Sequence, residues 1–338
     1  MKYIILYIWC FLFLGAVSSC ESLLLEAEPE NTPETVFNYL WTEAKEKYAF
    51  FEYKNIDWDE VYDRYQPQIK AEMSQAELFN VLFAMLNELR DGHVNLISPF
   101  NVSRYNVDLL GPQNFDWRIL RENYLGEDYY ITGPLNHDFL ANEKVGYVRY
   151  ASFSSFVSQL DLDFVMLRYR ETDGMIIDLR QNGGGSIANV FQILNRFVDE
   201  KTLVYNSYLK TGPGPNDFSE AQAAYLEPEE DHLDYDKPVV LLVDRGTYSA
   251  SSFFALAAKA LPQFTIIGDN TGGGLGIPNG GQLPNGWTYR FSISQTLSLD
   301  GQNYEDGVPP DEKVIMSAVN RLQGKDPVLE RAIELITG

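Results

Sequence analysis

Val239-Val-Leu-Leu-Val-Asp-Arg-Gly-Thr-Tyr-Ser249 runs straight into Ala250-Ser-Ser-Phe-Phe-Ala-Leu-Ala-Ala-Lys-Ala-Leu261. The first stretch is a short unbroken apolar run closed by a Gly-containing turn, the pattern of a buried strand. The second has the length of a helix. Ser249 therefore stands at a helix N-terminus, where the positive end of the helix dipole favours a nucleophilic oxygen and the oxyanion it makes. A plain helix N-cap is the structural alternative for the same serine.

The same alternation extends outward in both directions. Gly146-Tyr-Val-Arg-Tyr150 is a strand and residues 156–169 a helix. Gly174-Met-Ile-Ile-Asp-Leu-Arg180 is a strand ended by Gln181-Asn-Gly-Gly-Gly185, with a helix over 187–198 and a strand over 202–210. Residues 211–237, rich in Pro, Gly and acids, read as a long loop or cap. A strand at 264–268 follows, then Gly272-Gly-Gly-Leu-Gly276 as a flexible loop and a strand at 287–293. Strands alternating with helices predict an α/β layer structure with crossover connections.

Upstream the texture is helical. Thr32-Pro33-Glu34 places Pro at a first helical position, for a helix reaching residue 50. A second helix fits 58–65. Ser74-Gln-Ala-Glu77 is a capping box, after which Leu78, Leu82, Met85, Leu86 and Leu89 recur at helical spacing. Residues 32–90 form a small helical unit and residues 91–325 the α/β core, with a hairpin predicted from 115–121 and 128–132 around Gly126. Asp326-Pro327 starts a last helix over 326–338.

Residues 1–19 read as a signal peptide: a basic Lys2, an apolar stretch to Val17, then small residues before Cys20. Cys20 sits where a lipoprotein signal places it and is expected to be the lipidated first residue, followed by a tether over 20–31. Cys10, the chain's other cysteine, lies in the removed segment, so no disulfide is expected. The expected location is the bacterial cell envelope, lipid-anchored at the outer membrane or at a periplasmic or cell-surface face. With 26 basic against 48 acidic residues the formal charge is −22. That balance argues against nucleic acid or anionic lipid as a partner.

A nucleophilic serine needs a base and oxyanion donors. There are three histidines. His137 and His232 lie in polar segments and read as solvated. His93, in Leu89-Arg-Asp-Gly-His-Val-Asn-Leu96, stands where the helical unit meets the core and is the candidate base, with a merely structural histidine as the alternative. Lys259 lies some turns along the Ser249 helix. Gly183, Gly184 and Gly185 end a buried strand, so their N–H groups can line a cleft; a tight packing turn is the alternative. The Gly-Lys-Ser/Thr of a P-loop, the Gly-x-Gly-x-x-Gly of a dinucleotide site and His-Glu-x-x-His are all missing. No cofactor and no metal is expected. Gly-x-Ser-x-Gly is missing too, which removes the usual α/β-hydrolase.

Ile176-Ile-Asp-Leu-Arg-Gln-Asn-Gly-Gly-Gly185 followed by Tyr248-Ser-Ala-Ser251 resembles the C-terminal (tail-specific) processing serine peptidase family. The resemblance covers about residues 32–325 and implies a ClpP/crotonase-like core with Ser249 as nucleophile. Many members pair the serine with a lysine in a glycine loop; the matching position here is Gly274. The chain instead resembles the tricorn-like branch, which includes the interphotoreceptor retinoid-binding protein modules. Asp91-Gly92-His93 matches its histidine motif. Tyr304-Glu-Asp-Gly-Val-Pro-Pro-Asp311 matches its glutamate motif and nominates Glu305. The tricorn serine before the histidine is Gly92 here, so the relay from Glu305 is direct, water-bridged or supplied by another side chain. The implied oxyanion hole is the N–H of Ala250 with that of one glycine, Gly184 first and Gly183 or Gly185 as alternatives. The stretch between His93 and Gly146 is too short for a PDZ domain. The resemblance implies a serine endopeptidase acting on extended polypeptides, with residues 211–237 and 272–287 as cleft walls. A non-catalytic peptide- or lipid-binding lipoprotein on the same fold is the rival. The oligomeric state is not legible.

Overall fold

The computed structural model describes residues 30–229 and 233–338. The expected leader, Cys20, most of the expected tether and His232 lie outside the described residues.

The N-terminal unit starts as its caps dictate. α1 (Pro33–Lys47) begins behind Thr32, whose hydroxyl accepts the Thr35 N–H. α2 (Phe51–Lys54) and α3 (Trp58–Tyr65) follow, and the Ser74/Glu77 capping box opens α4 (Gln75–Asn87). After β1 (Asn95–Ile97) the chain makes a helical turn, α5 (Trp117–Leu120), continued as a π-turn over Arg121–Leu125. This corrects the hairpin expected around Gly126. Asp116 accepts the Arg118 and Ile119 N–H groups, so an Asx cap overrides the strand-like composition.

The core then runs β2 (Tyr130–Thr132), β3 (Leu135–Leu140), β4 (Val145–Tyr150), α6 (Gln159–Tyr169), β5 (Gly174–Asp178) and α7 (Ile187–Leu194). It continues through β6 (Thr202–Leu209), β7 (Gln222–Leu226), β8 (Val239–Val243), α8 (Ala250–Ala258) and β9 (Phe264–Gly268). β10 (Pro278–Gln282), β11 (Thr288–Ser292), β12 (Ser294–Leu297), β13 (Glu312–Lys313), α9 (Ala318–Leu322) and α10 (Pro327–Thr337) complete it. Residues 211–237 are not all loop, because β7 pairs antiparallel with β6.

The central sheet has seven strands in the order β13-β9-β8-β5-β4-β3-β2. Its five strands from β13 to β4 are mutually parallel, while β3 and β2 add antiparallel. β5 and β8 are buried along their whole length, as parallel strands covered on both faces must be. Successive side chains alternate between two cores. Met175, Ile177, Val239, Leu241 and Val243 face α7 and α8; Ile176, Val240 and Leu242 face Phe115, Leu120 and the α10 residues Val328, Leu329 and Ala332.

A third core joins the N-terminal helices to the three-stranded sheet β1-β11-β10. Phe37, Leu40, Leu82 and Met85 pack there with Leu96, Trp287, Tyr289 and Phe291. The helical unit is thus completed by strands from far along the chain, and this contact carries the residues just after α4 onto the core.

Candidate active site

β5 and β8 are neighbours, so the turns at their C-terminal ends lie side by side. Gln181 ties them, its backbone N–H and side-chain amide both donating to the Asp244 carboxylate at 2.9 and 2.8 Å. The Thr247 hydroxyl donates to the Leu179 carbonyl at 2.8 Å. The Asn182 carbonyl accepts the Tyr248 N–H at 3.0 Å and the Ser251 hydroxyl at 2.8 Å. These bonds lock the glycine turn against the start of α8.

Ser249 occupies that start with φ 57° and ψ −123°. A non-glycine residue held at positive φ is strained, and the surroundings must over-determine it. They do: its N–H donates to the Gly273 carbonyl at 2.9 Å, and its carbonyl accepts the Phe253 N–H at 3.0 Å. Its side chain makes no cap bond, which disposes of the N-cap reading. Instead Ser249 Oγ lies 3.0 Å from His93 Nε2, a contact spanning 156 residues. Gly272–Gly276, expected to be a flexible loop, is buried and packed against the serine.

His93 is buried and its backbone N–H donates to Asp91 Oδ1 at 2.7 Å, an Asx turn that sets the ring's direction. Asp91 Oδ2 accepts the Ser292 hydroxyl of β11 at 2.9 Å. Burial lowers the His93 pKa from its ordinary value, with Arg290 and Lys54 acting in the same direction; Asp91 and the Gly276 carbonyl oppose them. The ring is therefore held as a neutral base. Its buried Nδ1 has no hydrogen-bond partner among the described residues.

Glu305 is buried close by. Its Oε2 accepts the N–H groups of Leu275 at 2.7 Å and Gly276 at 3.1 Å, and no hydrogen bond joins it to His93. Burial pushes its carboxyl well above the ordinary carboxylate range, Asp91 adds to that, and Lys54 opposes it. Lys54 reaches in from α2, where its Nζ donates to the Arg90 carbonyl at 2.8 Å and lies 3.6 Å from the Asp306 carboxylate. Asp91 and Lys54 are electrostatic partners of the site that spacing in the sequence does not reveal. Only the Asp-x-His pattern carries a local signal, that of an Asx turn.

Of Gly183, Gly184 and Gly185, it is Gly184 that presses on the serine. A Cβ there would fall 2.6 Å from the Tyr248 carbonyl and 2.8 Å from Ser249 Cβ, and its φ is +94°. Only glycine fits. Its N–H, however, donates to Asn182 Oδ1 at 3.0 Å. The first-choice oxyanion donor is thus already engaged. The N–H groups of Ala250, at the first position of α8, and of Gly183 donate to no acceptor among the described residues. A Cβ on Gly183 would meet open space. Gly185 is pinned beside Phe153, where a Cβ would strike backbone.

The other titratable candidates fall away. His137, expected to be solvated, is fully buried on β3 between the Thr132 hydroxyl at 2.8 Å and the Tyr169 hydroxyl at 2.7 Å. Burial lowers its pKa to about 4. The polar residues around it belong to an antiparallel pair whose inner face is core, which a local reading cannot distinguish from a turn. Lys259 pairs with Asp311 at 3.0 Å at the far end of α8. Among the described residues no acidic, His or Cys cluster could hold a metal ion.

Three clefts adjoin the site, one of them, of about 270 Å³, lined by Gly92, Gln181, Gly183, Arg245 and Tyr248. Another of about 390 Å³ is lined by Lys54, Asp91, Gly92, Tyr105, Tyr248 and Glu305. A wider one of about 860 Å³ lies between α2–α3 and residues 210–218, and Tyr53 borders both of these. Pro213, Pro215, Asn216 and Phe218 line the wider cleft, and Gly272 and Gly274 the one of about 390 Å³.

Residues 144–314 match the family described as peptidase family S41, and residues 29–87 the tricorn protease C1 domain. His93 lies between the two matched segments. The chain is 27% identical over 206 residues to a carboxyl-terminal-processing protease of Synechocystis sp., covering 60% of this chain and 46% of that protein. It is 25% identical over 212 residues to the carboxy-terminal processing protease CtpA of Bacillus subtilis, covering 62% and 42%. The chain therefore spans under half the length of these relatives. The crystal structure of a "putative peptidase" from Parabacteroides merdae ATCC 43184 superposes with TM-score 0.88 at 42% identity, covering 91% of this chain and 98% of that one. The crystal structure of the tricorn protease shares the fold, with TM-score 0.56 at 15% identity over 90% of this chain and 36% of that one. Half of the chain matching one family model, on a core that places the motif serine against a histidine, settles its relationship: the chain belongs to peptidase family S41.

Proposed function

We propose that the protein is a serine endopeptidase acting on extended or unfolded polypeptides. The observation that carries this is the 3.0 Å contact between His93 Nε2 and a strained Ser249 at the N-terminus of α8. In this reading Ser249 Oγ attacks the peptide carbonyl while His93 Nε2 takes its proton and returns it to the leaving amine. The N–H groups of Ala250 and Gly183 hold the oxyanion, Gly183 replacing Gly184 because the latter's N–H serves Asn182. Asp91 supplies the negative field that stabilises the imidazolium. A relay from Glu305 to Nδ1 would need a bridging water, since no direct hydrogen bond joins them and Glu305 Oε2 is held by backbone N–H groups. An extended substrate would pair along an open strand edge beside the clefts.

A fluorophosphonate probe tests the reading. The wild type should be labelled, and peptide-library cleavage should appear against Ser249→Ala as blank. A wild type that stays unlabelled alongside a reactive control hydrolase would instead support a non-catalytic binding protein.

The small-residue pattern before Cys20, outside the described residues, supports a lipid anchor to the bacterial cell envelope. Cells grown with radiolabelled palmitate should label the full-length protein, and Cys20→Ser should abolish the label. Labelling that survives the substitution would exclude Cys20 as the anchor.

A further inference from the structure

Two departures of this chain, Gly92 and Gly274, meet at one side chain. A Cβ on Gly92 would lie 2.9 Å from the Tyr248 hydroxyl oxygen and 3.0 Å from its Cζ. A Cβ on Gly274, itself at φ +72°, would lie 2.4 Å from Tyr248 Cζ and 2.8 Å from its hydroxyl oxygen. The phenol therefore fills the space that side chains at both positions would need. It is not inert filler. Its ring packs on the His93 imidazole with centroids 4.9 Å apart and planes at 57°. Its hydroxyl points to Asp91 Oδ1 at 3.4 Å, the atom that also receives the His93 N–H. Its backbone N–H, bonded to the Asn182 carbonyl, fixes the residue that precedes Ser249.

We propose that Tyr248 is a positioning residue: its phenol stands where a side chain at position 92 would stand, ties His93 to Asp91 beside Glu305, and holds the imidazole so that Nε2 stays on Ser249 Oγ. The proposal rests on the reading of Ser249 and His93 as nucleophile and base. Burial, then Asp91 and Glu305, raise the phenol pKa well above its ordinary value, so the hydroxyl remains a donor at neutral pH. Gly92 and Gly274 are small because Tyr248 is large, and the three positions should behave as one unit.

Reciprocal substitution tests this. Tyr248→Ala should lower kcat on a cleaved peptide by about 10²-fold, the cost of a misplaced catalytic group, with little change in KM. Tyr248→Phe, which keeps the ring, should lose less. Gly92→Ser should impair the wild type, whose phenol blocks the new side chain, yet recover activity in the Tyr248→Ala background. A residue that merely fills space would not show that crossover. Imidazole NMR of the three histidines gives a reading independent of turnover: the His93 titration should move in Tyr248→Phe while His137 stays fixed. Thermal unfolding identifies any variant that fails to fold, and Tyr248→Phe then carries the test. An unlabelled wild type would sink the catalytic reading alone. Unchanged kcat and an unchanged His93 titration in a folded Tyr248→Phe and Tyr248→Ala would overturn the positioning role.

Discussion

Replacing Ser249 or His93 by alanine is expected to lower peptide cleavage by roughly 10⁴- to 10⁶-fold, and the double variant should be hardly worse than either single one. The non-additivity follows from the geometry. His93 Nε2 has one proton to take, and it sits on Ser249 Oγ at 3.0 Å. Without the base the hydroxyl stays protonated; without the hydroxyl the base has nothing to deprotonate. What survives is the field of the α8 N-terminus and the N–H donors. Gly183→Ala is a useful companion because its Cβ would point into open space, so the variant should fold and keep most activity. The pH profile adds a sign. Attack needs neutral His93, and burial lowers its pKa below the ordinary 6.5. Then kcat/KM should rise with pH along a limb centred below 6.5 and be flat by neutrality. A limb centred clearly above ~7 would mean that the Asp91 carboxylate outweighs the burial of the ring.

The sequence is most informative where a single physical pattern dominates. The runs Gly174–Asp178 and Val239–Val243 are apolar without alternation, and both prove buried on both faces. The glycine turn and Ser249 follow from them, because residues after adjacent parallel strands must be neighbours. His93 is legible as the histidine at the junction of two textures. What the sequence hides is everything fixed by long-range packing. Lys54 is one charge among many in a helical segment until α2 is laid against the core. Tyr248 reads as an ordinary aromatic until the spaces above Gly92 and Gly274 are seen to be one space. His137 sits among polar neighbours, yet the pairing of β3 with β4 turns it inward. The identity of the oxyanion donor depends on where one N–H points, which Asn182 decides.

The largest stability effect is expected at Arg180, the arginine of the motif that precedes the glycines. It is wholly buried, with Nε and Nη2 donating to the two oxygens of Asp178 at 3.0 and 2.6 Å. Its Nη1 donates to Asp326 at 3.0 Å and to the Asn114 carbonyl at 3.1 Å. Asp326 in turn caps α10, accepting the Val328 and Leu329 N–H groups, so one guanidinium joins the end of β5 to the last helix. Burial works to raise the Asp178 pKa, but Arg180 and Arg149 more than offset it and hold the carboxylate below its ordinary range. Arg180→Leu removes the larger part of that compensation, leaving Asp178 with Arg149 alone and Asp326 without its cation. The expected cost is about 3–5 kcal/mol, read as a lowered urea midpoint at unchanged slope. Arg180→Lys should also destabilise, because an ammonium cannot make the fork to Asp178. The cause can be separated from the mere loss of contacts. In the triple variant Asp178→Asn, Arg180→Leu, Asp326→Asn no buried carboxylate is stranded, although Arg149 loses its charged partner at 3.5 Å, and Asn still serves as an N-cap at 326. Much of the lost stability should return. If the triple variant is as unstable as Arg180→Leu alone, packing of the guanidinium against Phe115, 5.1 Å from the ring, is the larger contribution, and charge pairing is not what holds the glycine turn's strand in place.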